Sequence, residues 1–275
     1  MIDDDFVEIS TEIEKKIIKK GKQGKRPFLT WNCRIEIILN ETYDNDNFKT
    51  GVIDIVIGYG CNSYDRLIER CVETMHLDEE SLFVIKSVDN VNDLKVTIIL
   101  ISYLEKPYIF EWTDEEKINE SNVLKNKGAQ LFKDNNIEEA FYKFSNALKL
   151  LLTLDEVLEY DEPRPDINNL IIALYNNLAR CQLHFKNYKY VIDLCSKSID
   201  INSTSKALYR RALAYIELVE YEKAQNDLLE LIKLEPNNKA AIEKFKLVRD
   251  LDKTNRDNYN LIVKKMFGKQ INENF

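Results

Sequence analysis

Glycine and proline are scarce in this sequence of 275 residues, which contains seven glycines and five prolines. Average usage would supply about 33 of the two residues together. The scarcity excludes collagen-like repeats, proline-rich linkers and an all-β sandwich running the whole length of the chain, and it favours helix. Five of the seven glycines fall within the first sixty residues. We therefore expect two kinds of structure in series.

The sequence also lacks the usual signatures of cofactor, metal and membrane binding. There is no glycine-rich phosphate-binding loop, His76 and His184 are isolated, and the five cysteines include no C-x-x-C pair. The longest strongly apolar stretch, residues 96–104, is too short to span a bilayer. We expect no cofactor, no metal site and no membrane partner, and we interpret the cysteines as reduced, mostly buried thiols.

The formal net charge of −8 argues against general affinity for nucleic acid, which requires a basic face. The acidic start of the chain, residues 1–5, is unlike a secretory signal or a transit peptide, so we expect a cytoplasmic protein. Residues 15–26 include seven basic side chains, a pattern that leaves nuclear import open. The interleaved Ile17 and Ile18 favour a strand with one solvated face instead.

The first half of the chain has the pattern of a sheet. Short β-branched runs alternate with Gly, Asn and Asp, and apolar residues at every second position indicate strands. One segment, residues 64–76, has helical spacing and predicts an amphipathic helix lying on the sheet. We predict an α+β domain over residues 1–110 with a largely antiparallel sheet. The predicted strands cover residues 16–19, 31–39, 52–59, 82–88 and 94–104.

The second half, residues 111–275, is predicted to be all helix. After Trp112, Thr113 supplies an N-cap hydroxyl before an acidic first turn. Small or apolar residues then recur at fixed offsets in three copies, and the last two copies are spaced close to the period of the tetratricopeptide repeat (TPR). A generic helical bundle is the alternative. The recurring residues are Gly128, Ala140 and Ala147; Ala179, Val191, Cys195 and Ser198; and Ala212, Ala224, Leu228 and Leu231.

The three copies predict three helix pairs and a long capping helix. The first two copies are further apart than the last two, and the extra acidic segment at 153–166 is interpreted as a solvated connection in preference to a partner site. Pro236 ends the third pair. An amphipathic segment at 239–267 is expected to cover the open face of the last repeat. Its basic end, 264–269, could bind calmodulin or an acidic surface, but a capping helix is favoured.

Four polar residues fall on the first helices of the predicted pairs, which line the concave groove of such arrays. They are Lys125, Asn177, Lys206 and Arg210. Lys206 and Arg210 are one helical turn apart and project from one helix face. Arginine binds a carboxylate bidentately and asparagine can bond a peptide backbone, so this set suits an acidic peptide with a free carboxylate. The alternative is that these side chains are simply solvated.

The motifs around these residues resemble the carboxylate clamp of TPR co-chaperones: 125–128 (Lys-Asn-Lys-Gly), 177–181 (Asn-Leu-Ala-Arg-Cys) and 206–212 (Lys-Ala-Leu-Tyr-Arg-Arg-Ala). The resemblance implies that the groove binds the acidic C-terminal tail, Met-Glu-Glu-Val-Asp or a related sequence, of heat-shock protein 90 or heat-shock protein 70. Ala129 departs from the pattern, because many clamps have asparagine there. We therefore expect weakened tail binding.

The first half resembles FKBP-type immunophilin domains. Residues 14–21 followed by Pro27 are similar to the opening strand, and Tyr64 stands near the aromatic floor of the family's pocket. The sequence lacks the family's Phe-Asp-Ser-Ser stretch, its Tyr-Gly flap and its Ile-Pro-Pro turn. Nearly the whole chain thus resembles FKBP-like co-chaperones in which a degenerate immunophilin domain precedes TPR repeats. We expect a non-catalytic adaptor with an unknown client; an active prolyl isomerase, or a scaffold for another acidic partner, stays open.

Overall fold

The computed structural model describes residues 6–40, 48–86, 93–154 and 165–271, with side chains up to residue 266. It contains two compact units. The first is drawn from residues 1–117 and 130–146, and the second from 118–129 and 147–275. The division after residue 110 was predicted for domains that fold separately, which is a different property from compactness. It stays a prediction. The acidic start of the chain and most of the acidic connection at 153–166 lie outside the described residues.

The first unit is built on an antiparallel six-stranded sheet with strand order β1-β2-β5-β6-β3-β4. This confirms the predicted α+β class. Strand β1 was not predicted, because its short sequence is exposed at the sheet edge and has little burial pattern. The strands are β1 Val7–Ser10, β2 Ile13–Lys19, β3 Asn32–Leu39, β4 Gly51–Val56, β5 Glu80–Ile85 and β6 Leu94–Leu104.

One helix, α1 (Ser63–Val72), packs on the core side of this sheet. The side chain of Asn62 caps it by accepting a hydrogen bond from the Asp65 backbone N–H at 2.8 Å. The helix ends one turn before the predicted end at 76. Residue Met75 is nevertheless fully buried in the same core. The prediction therefore identified the apolar face correctly and overextended the helix.

Strand β2 corrects one expectation about the basic run at 15–26. Ile13 and Lys15 face the core, with Lys15 only 6% exposed, while Ile18 is 40% exposed. The strand was predicted with a solvated lysine face. The alternation of side chains along β2 instead turns Lys15 inward, where Glu79 is its buried partner.

Seven further helices follow within the described residues, and they confirm the predicted three pairs and terminal helix. Thr113 caps the first of them through a reciprocal pair of hydrogen bonds with Glu116, as its position before an acidic turn predicted. The helices are α2 Asp114–Lys133, α3 Ile137–Leu151, α4 Pro165–His184, α5 Tyr188–Ile201, α6 Ser205–Glu217, α7 Tyr221–Leu234 and α8 Lys239–Ile271.

The turn inside each pair repeats the same backbone conformation. Asn135, Lys186 and Val219 all adopt positive φ, at 62°, 59° and 62°. After each, the next backbone N–H bonds the carbonyl five residues earlier, which is the Schellman ending of a helix. The recurring small and apolar residues are buried, as predicted. The spacing between the three turns along the chain equals the spacing between the small residues that begin the three predicted copies. Those residues are Gly128, Ala179 and Ala212.

Among the side chains described up to residue 266, helix α8 covers the last pair with those of its first turns. Ala241 and Val248 are fully buried against α6 and α7, with Phe245 packed beside them. Leu261 and Ile262 were expected to take part, but they are 52% and 56% exposed. No helix in the described part of the chain is long and apolar enough to cross a membrane.

Candidate functional site

A pocket of about 450 Å³ lies in the second unit, and two of the predicted site residues line it. Lys206 and Arg210 project into it from α6, one helical turn apart. Arg180 from α4 adds a third cation. Apolar side chains complete the wall, and Glu235 also lines the pocket. The apolar lining residues are Leu183, Leu213, Leu231 and the ring of Tyr209.

Arg210 is the least exposed of these three cations. Burial lowers the pKa of Arg210, and the neighbouring positive charge of Arg180 lowers it further. Arginine stays protonated in proteins all the same, so its charge is held in surroundings that disfavour it. An anion entering the pocket would relieve that cost.

Asn176, the neighbour of the predicted Asn177, contacts Arg210. The Asn176 side-chain oxygen accepts a hydrogen bond from Arg210 Nη1 at 3.1 Å. Asn176 is buried, whereas Asn177 is half-buried and does not line the pocket. The helical phase that buries Ile172 and Ala179 also turns residue 176 inward, so the sequence did carry a signal for Asn176. Arg180 was likewise missed as a lining residue, although it stands inside a quoted motif.

Lys125 lies elsewhere in the second unit. Its Nζ donates a hydrogen bond to Asn122 Oδ1 at 3.0 Å, one turn earlier on α2, and it does not line the pocket. The structure therefore brings Lys206 and Arg210 together in one pocket and leaves Lys125 and Asn177 outside its lining. The binding roles of all four residues stay predictions.

Glu235 gives the pocket one negative charge. Hydrogen bonds from Ser205 and Asn238 hold the pKa of Glu235 below its ordinary value, so it is a carboxylate at neutral pH. The Asn238 amide donates to Glu235 Oε2 at 2.8 Å. The pocket therefore presents three cations and one fixed anion, an arrangement that orients a charged ligand as well as attracting it.

In the first unit, the loop before α1 is occupied by a side chain of the same helix. The Glu69 carboxylate accepts backbone hydrogen bonds from Gly58, Tyr59 and Gly60 at 3.0, 3.1 and 2.6 Å. The carbonyl of Gly58 accepts one from Lys143 Nζ at 2.8 Å. These four backbone groups of the loop are thus hydrogen-bonded within the first unit.

The aromatic residue expected at the pocket floor lies beside this loop. The ring of Tyr64 packs edge-on against Phe48 with centroids 5.9 Å apart, and both rings are partly buried against the core. A separate groove of about 470 Å³ lies along β3, β4 and β6.

All five cysteines are free thiols, and Cys61 is exposed. Four of the five thiols are buried, and burial raises the pKa of Cys33, Cys181 and Cys195 to about 12. They are therefore protonated at neutral pH. No group of three or more His, Cys, Asp or Glu side chains in the described ranges is placed to hold a metal ion.

Two human proteins are similar to most of this chain. Peptidyl-prolyl cis-trans isomerase FKBP4 is 26% identical over 249 residues, which is 83% of this chain and 52% of the relative. FK506-binding protein-like is 28% identical over 258 residues, which is 92% of this chain and 70% of the relative. The chain thus spans about half the length of FKBP4. No protein-family model matches it.

A solved structure matches the helical half. The C-terminal TPR-containing domain of a Plasmodium falciparum FK506-binding protein is 31% identical, with a TM-score of 0.50, over 55% of this chain and 99% of that domain. An antiparallel α+β unit followed by three helix pairs defines a protein with a sheet domain and a TPR array. The chain belongs to the FKBP-like immunophilins that carry TPR repeats.

Proposed function

We propose that this protein is a non-catalytic co-chaperone adaptor. Its helical repeats bind the acidic C-terminal tail of heat-shock protein 90 or heat-shock protein 70, and its N-terminal domain has no prolyl isomerase activity. The observation that carries the proposal is the convergence of Arg180, Lys206 and Arg210 on one pocket of about 450 Å³.

The chemistry of the pocket supports an acidic peptide as its ligand. Arg210 can take a carboxylate through two parallel hydrogen bonds, and Lys206 adds a mobile point charge. The apolar wall formed by Leu183, Leu213 and Leu231 suits an aliphatic side chain near the peptide's end. Repulsion from Glu235 disfavours an acidic group of the ligand beside that carboxylate. Such a pocket favours a ligand with a terminal carboxylate and an apolar neighbour.

The loop before α1 supports the absence of isomerase activity. A prolyl isomerase needs an apolar, aromatic-lined cup that desolvates the imide bond, and the resemblance places that cup next to Tyr64. At that position, Glu69 accepts hydrogen bonds from the backbone N–H groups of residues 58–60. Lys143 donates a hydrogen bond to the carbonyl of Gly58. The sequence also lacks the loops that complete the cup in active relatives.

Calorimetric titration of the full chain with the peptide Met-Glu-Glu-Val-Asp tests tail binding. We expect micromolar affinity, about −8 kcal/mol, because ordering the peptide offsets much of the electrostatic gain. Lys206→Glu should weaken binding about tenfold or more. Lys189→Glu is the matched control, since it makes the same charge change at an exposed position that does not line the pocket. Absence of heat with the wild type, or equal binding by both variants, contradicts the proposal.

A peptide with an amidated C-terminus separates the adaptor from a general acidic scaffold. A pocket built for a terminal carboxylate loses affinity when that charge is removed. A scaffold that binds internal acidic residues binds both peptides alike. The client of the adaptor is left open by these tests, and proteins that co-purify with the wild type but not with a Lys206 and Arg210 double variant would identify it.

An active isomerase is the second candidate, favoured by the name of the relative FKBP4. A protease-coupled proline isomerisation assay decides between the two. We expect that, in the presence of the protein, proline isomerisation proceeds at the rate of the uncatalysed reaction. A rate above that background which is lost in Tyr64→Ala would establish a working site at the helix α1 end and overturn the non-catalytic proposal.

A further inference from the structure

We propose that Asn176 is a positioning residue that fixes the Arg210 guanidinium for binding a peptide carboxylate. The inference rests on the proposed function, because it assumes that the pocket takes an acidic tail. It concerns a residue behind the pocket that does not itself line it.

The orientation of the Asn176 amide is determined by its surroundings. Asn176 is only 5% exposed, and its nitrogen donates hydrogen bonds to the carbonyl of Ile172 at 2.9 Å and to Ser198 Oγ at 3.1 Å. A carbonyl can only accept, so the nitrogen must point toward Ile172. The side-chain oxygen then necessarily faces Arg210, whose Nη1 donates to it at 3.1 Å.

Ser198 anchors this arrangement from the neighbouring helix. It lies on α5 and is fully buried, so the amide is held between two helices and cannot rotate freely. Arg210 is therefore bonded to a fixed acceptor. A guanidinium has five N–H donors, and one bond to Asn176 leaves enough of them for a bidentate carboxylate contact.

A neutral acceptor suits this role better than a charged one. Asparagine orients the guanidinium without cancelling its charge, whereas an aspartate at 176 would pair with Arg210 and compete with the ligand. Prior orientation also lowers the side-chain entropy lost on binding. The nearby Lys206 carbonyl, 3.5 Å from the same Nη1, is too distant to orient the group as well.

Titrations with two peptides, one ending in a free carboxylate and one amidated, test the inference. In the full chain, Asn176→Ala should weaken binding of the free-carboxylate peptide about tenfold and leave binding of the amidated peptide within about twofold. In an Arg210→Ala background, Asn176→Ala should cause no further loss, because the group it positions is gone. A purely structural role would weaken both peptides, with or without Arg210.

Asn176→Asp provides a second, nearly isosteric variant if the alanine variant folds poorly. It should abolish the preference for the free carboxylate by neutralising Arg210. Unchanged preference in Asn176→Asp, or equal loss for both peptides in Asn176→Ala, overturns the inference while leaving the proposed function intact. Failure of the wild type to bind either peptide overturns both, and is thereby distinguished from failure of the positioning role alone.

Discussion

Lys15 and Glu79 form an ion pair inside the core of the first unit. Lys15 Nζ lies 2.6 Å from Glu79 Oε1, and the two side chains are only 7% and 2% exposed. Lys15 also donates to the Thr74 carbonyl at 2.8 Å, while Glu79 accepts from the His76 backbone N–H at 2.9 Å and from Ser81 Oγ at 2.7 Å. Each charge therefore has several hydrogen bonds in place of water.

Removing the lysine should destabilise the first unit strongly. Lys15→Met leaves Glu79 buried without its counter-charge, and breaking a buried pair in this way costs about 3–5 kcal/mol. The control, Lys19→Met, changes an exposed lysine on the same strand and should stay within about 0.5 kcal/mol of the wild type. Urea denaturation followed by Trp31 fluorescence in a Trp112→Phe background reports on this core, since Trp31 is fully buried there. Equal midpoints for the two variants would contradict the expectation.

The same pair predicts how stability depends on acid. Burial alone would raise the pKa of Glu79, but hydrogen bonds from Lys15, the His76 N–H and Ser81, with the lysine charge, hold it below its ordinary value. An acid with a lowered folded-state pKa stabilises the fold fully above its unfolded pKa, about 4.3, and loses this contribution as pH falls through the folded value. Burial lowers the pKa of Lys15, so the effect of this lysine on the pH dependence of stability falls at alkaline pH.

The measurement is the free energy of unfolding between about pH 5 and pH 3, with the same Trp31 signal. We expect the wild type to lose stability more steeply than Glu79→Gln over this range, because only the wild type must protonate a carboxylate at this position. Parallel curves for the two proteins would show that Glu79 does not contribute to the acid sensitivity.

Residues whose side chains follow a simple period could be predicted from the sequence. Cys33, Ile35 and Ile37 alternate along β3 and are buried. The three helix pairs followed from small residues such as Ala179 and Ala212, since close helix packing leaves room only for small side chains at those points.

Residues whose environment depends on a distant partner could not be predicted. A lysine in an alternating strand looks like a solvated one until Glu79, which is far away in the sequence, is known to lie opposite it. The helical phase indicates that Asn176 faces inward, but its partners Arg210 and Ser198 lie on other helices and could not be inferred from the sequence around it. Such pairings are set by tertiary contacts, which leave no local pattern.

The turn between α6 and α7 contains a strained residue that can be replaced. Val219 adopts φ of 62°, a conformation in which a β-branched side chain is crowded, and it is 53% exposed. Asparagine tolerates this conformation, as Asn135 does in the equivalent turn of the first pair. Val219→Asn should therefore raise the free energy of unfolding by about 0.5–1 kcal/mol in chemical denaturation followed by circular dichroism. The reciprocal Asn135→Val should lower it, and a stabilising effect of that variant would refute the argument.

The two ends of α8 should differ in their contribution to the stability of the repeats. Val248 is fully buried against the last pair, so Val248→Ala should lower the free energy of unfolding by about 1–3 kcal/mol through lost burial and the cavity left behind. Leu261 is 52% exposed, and Leu261→Ala should stay within about 0.5 kcal/mol of the wild type although it removes more atoms. Thermal unfolding followed by circular dichroism at 222 nm measures both. A larger loss in Leu261→Ala than in Val248→Ala would mean that the far half of the helix, and not its first turns, closes the array.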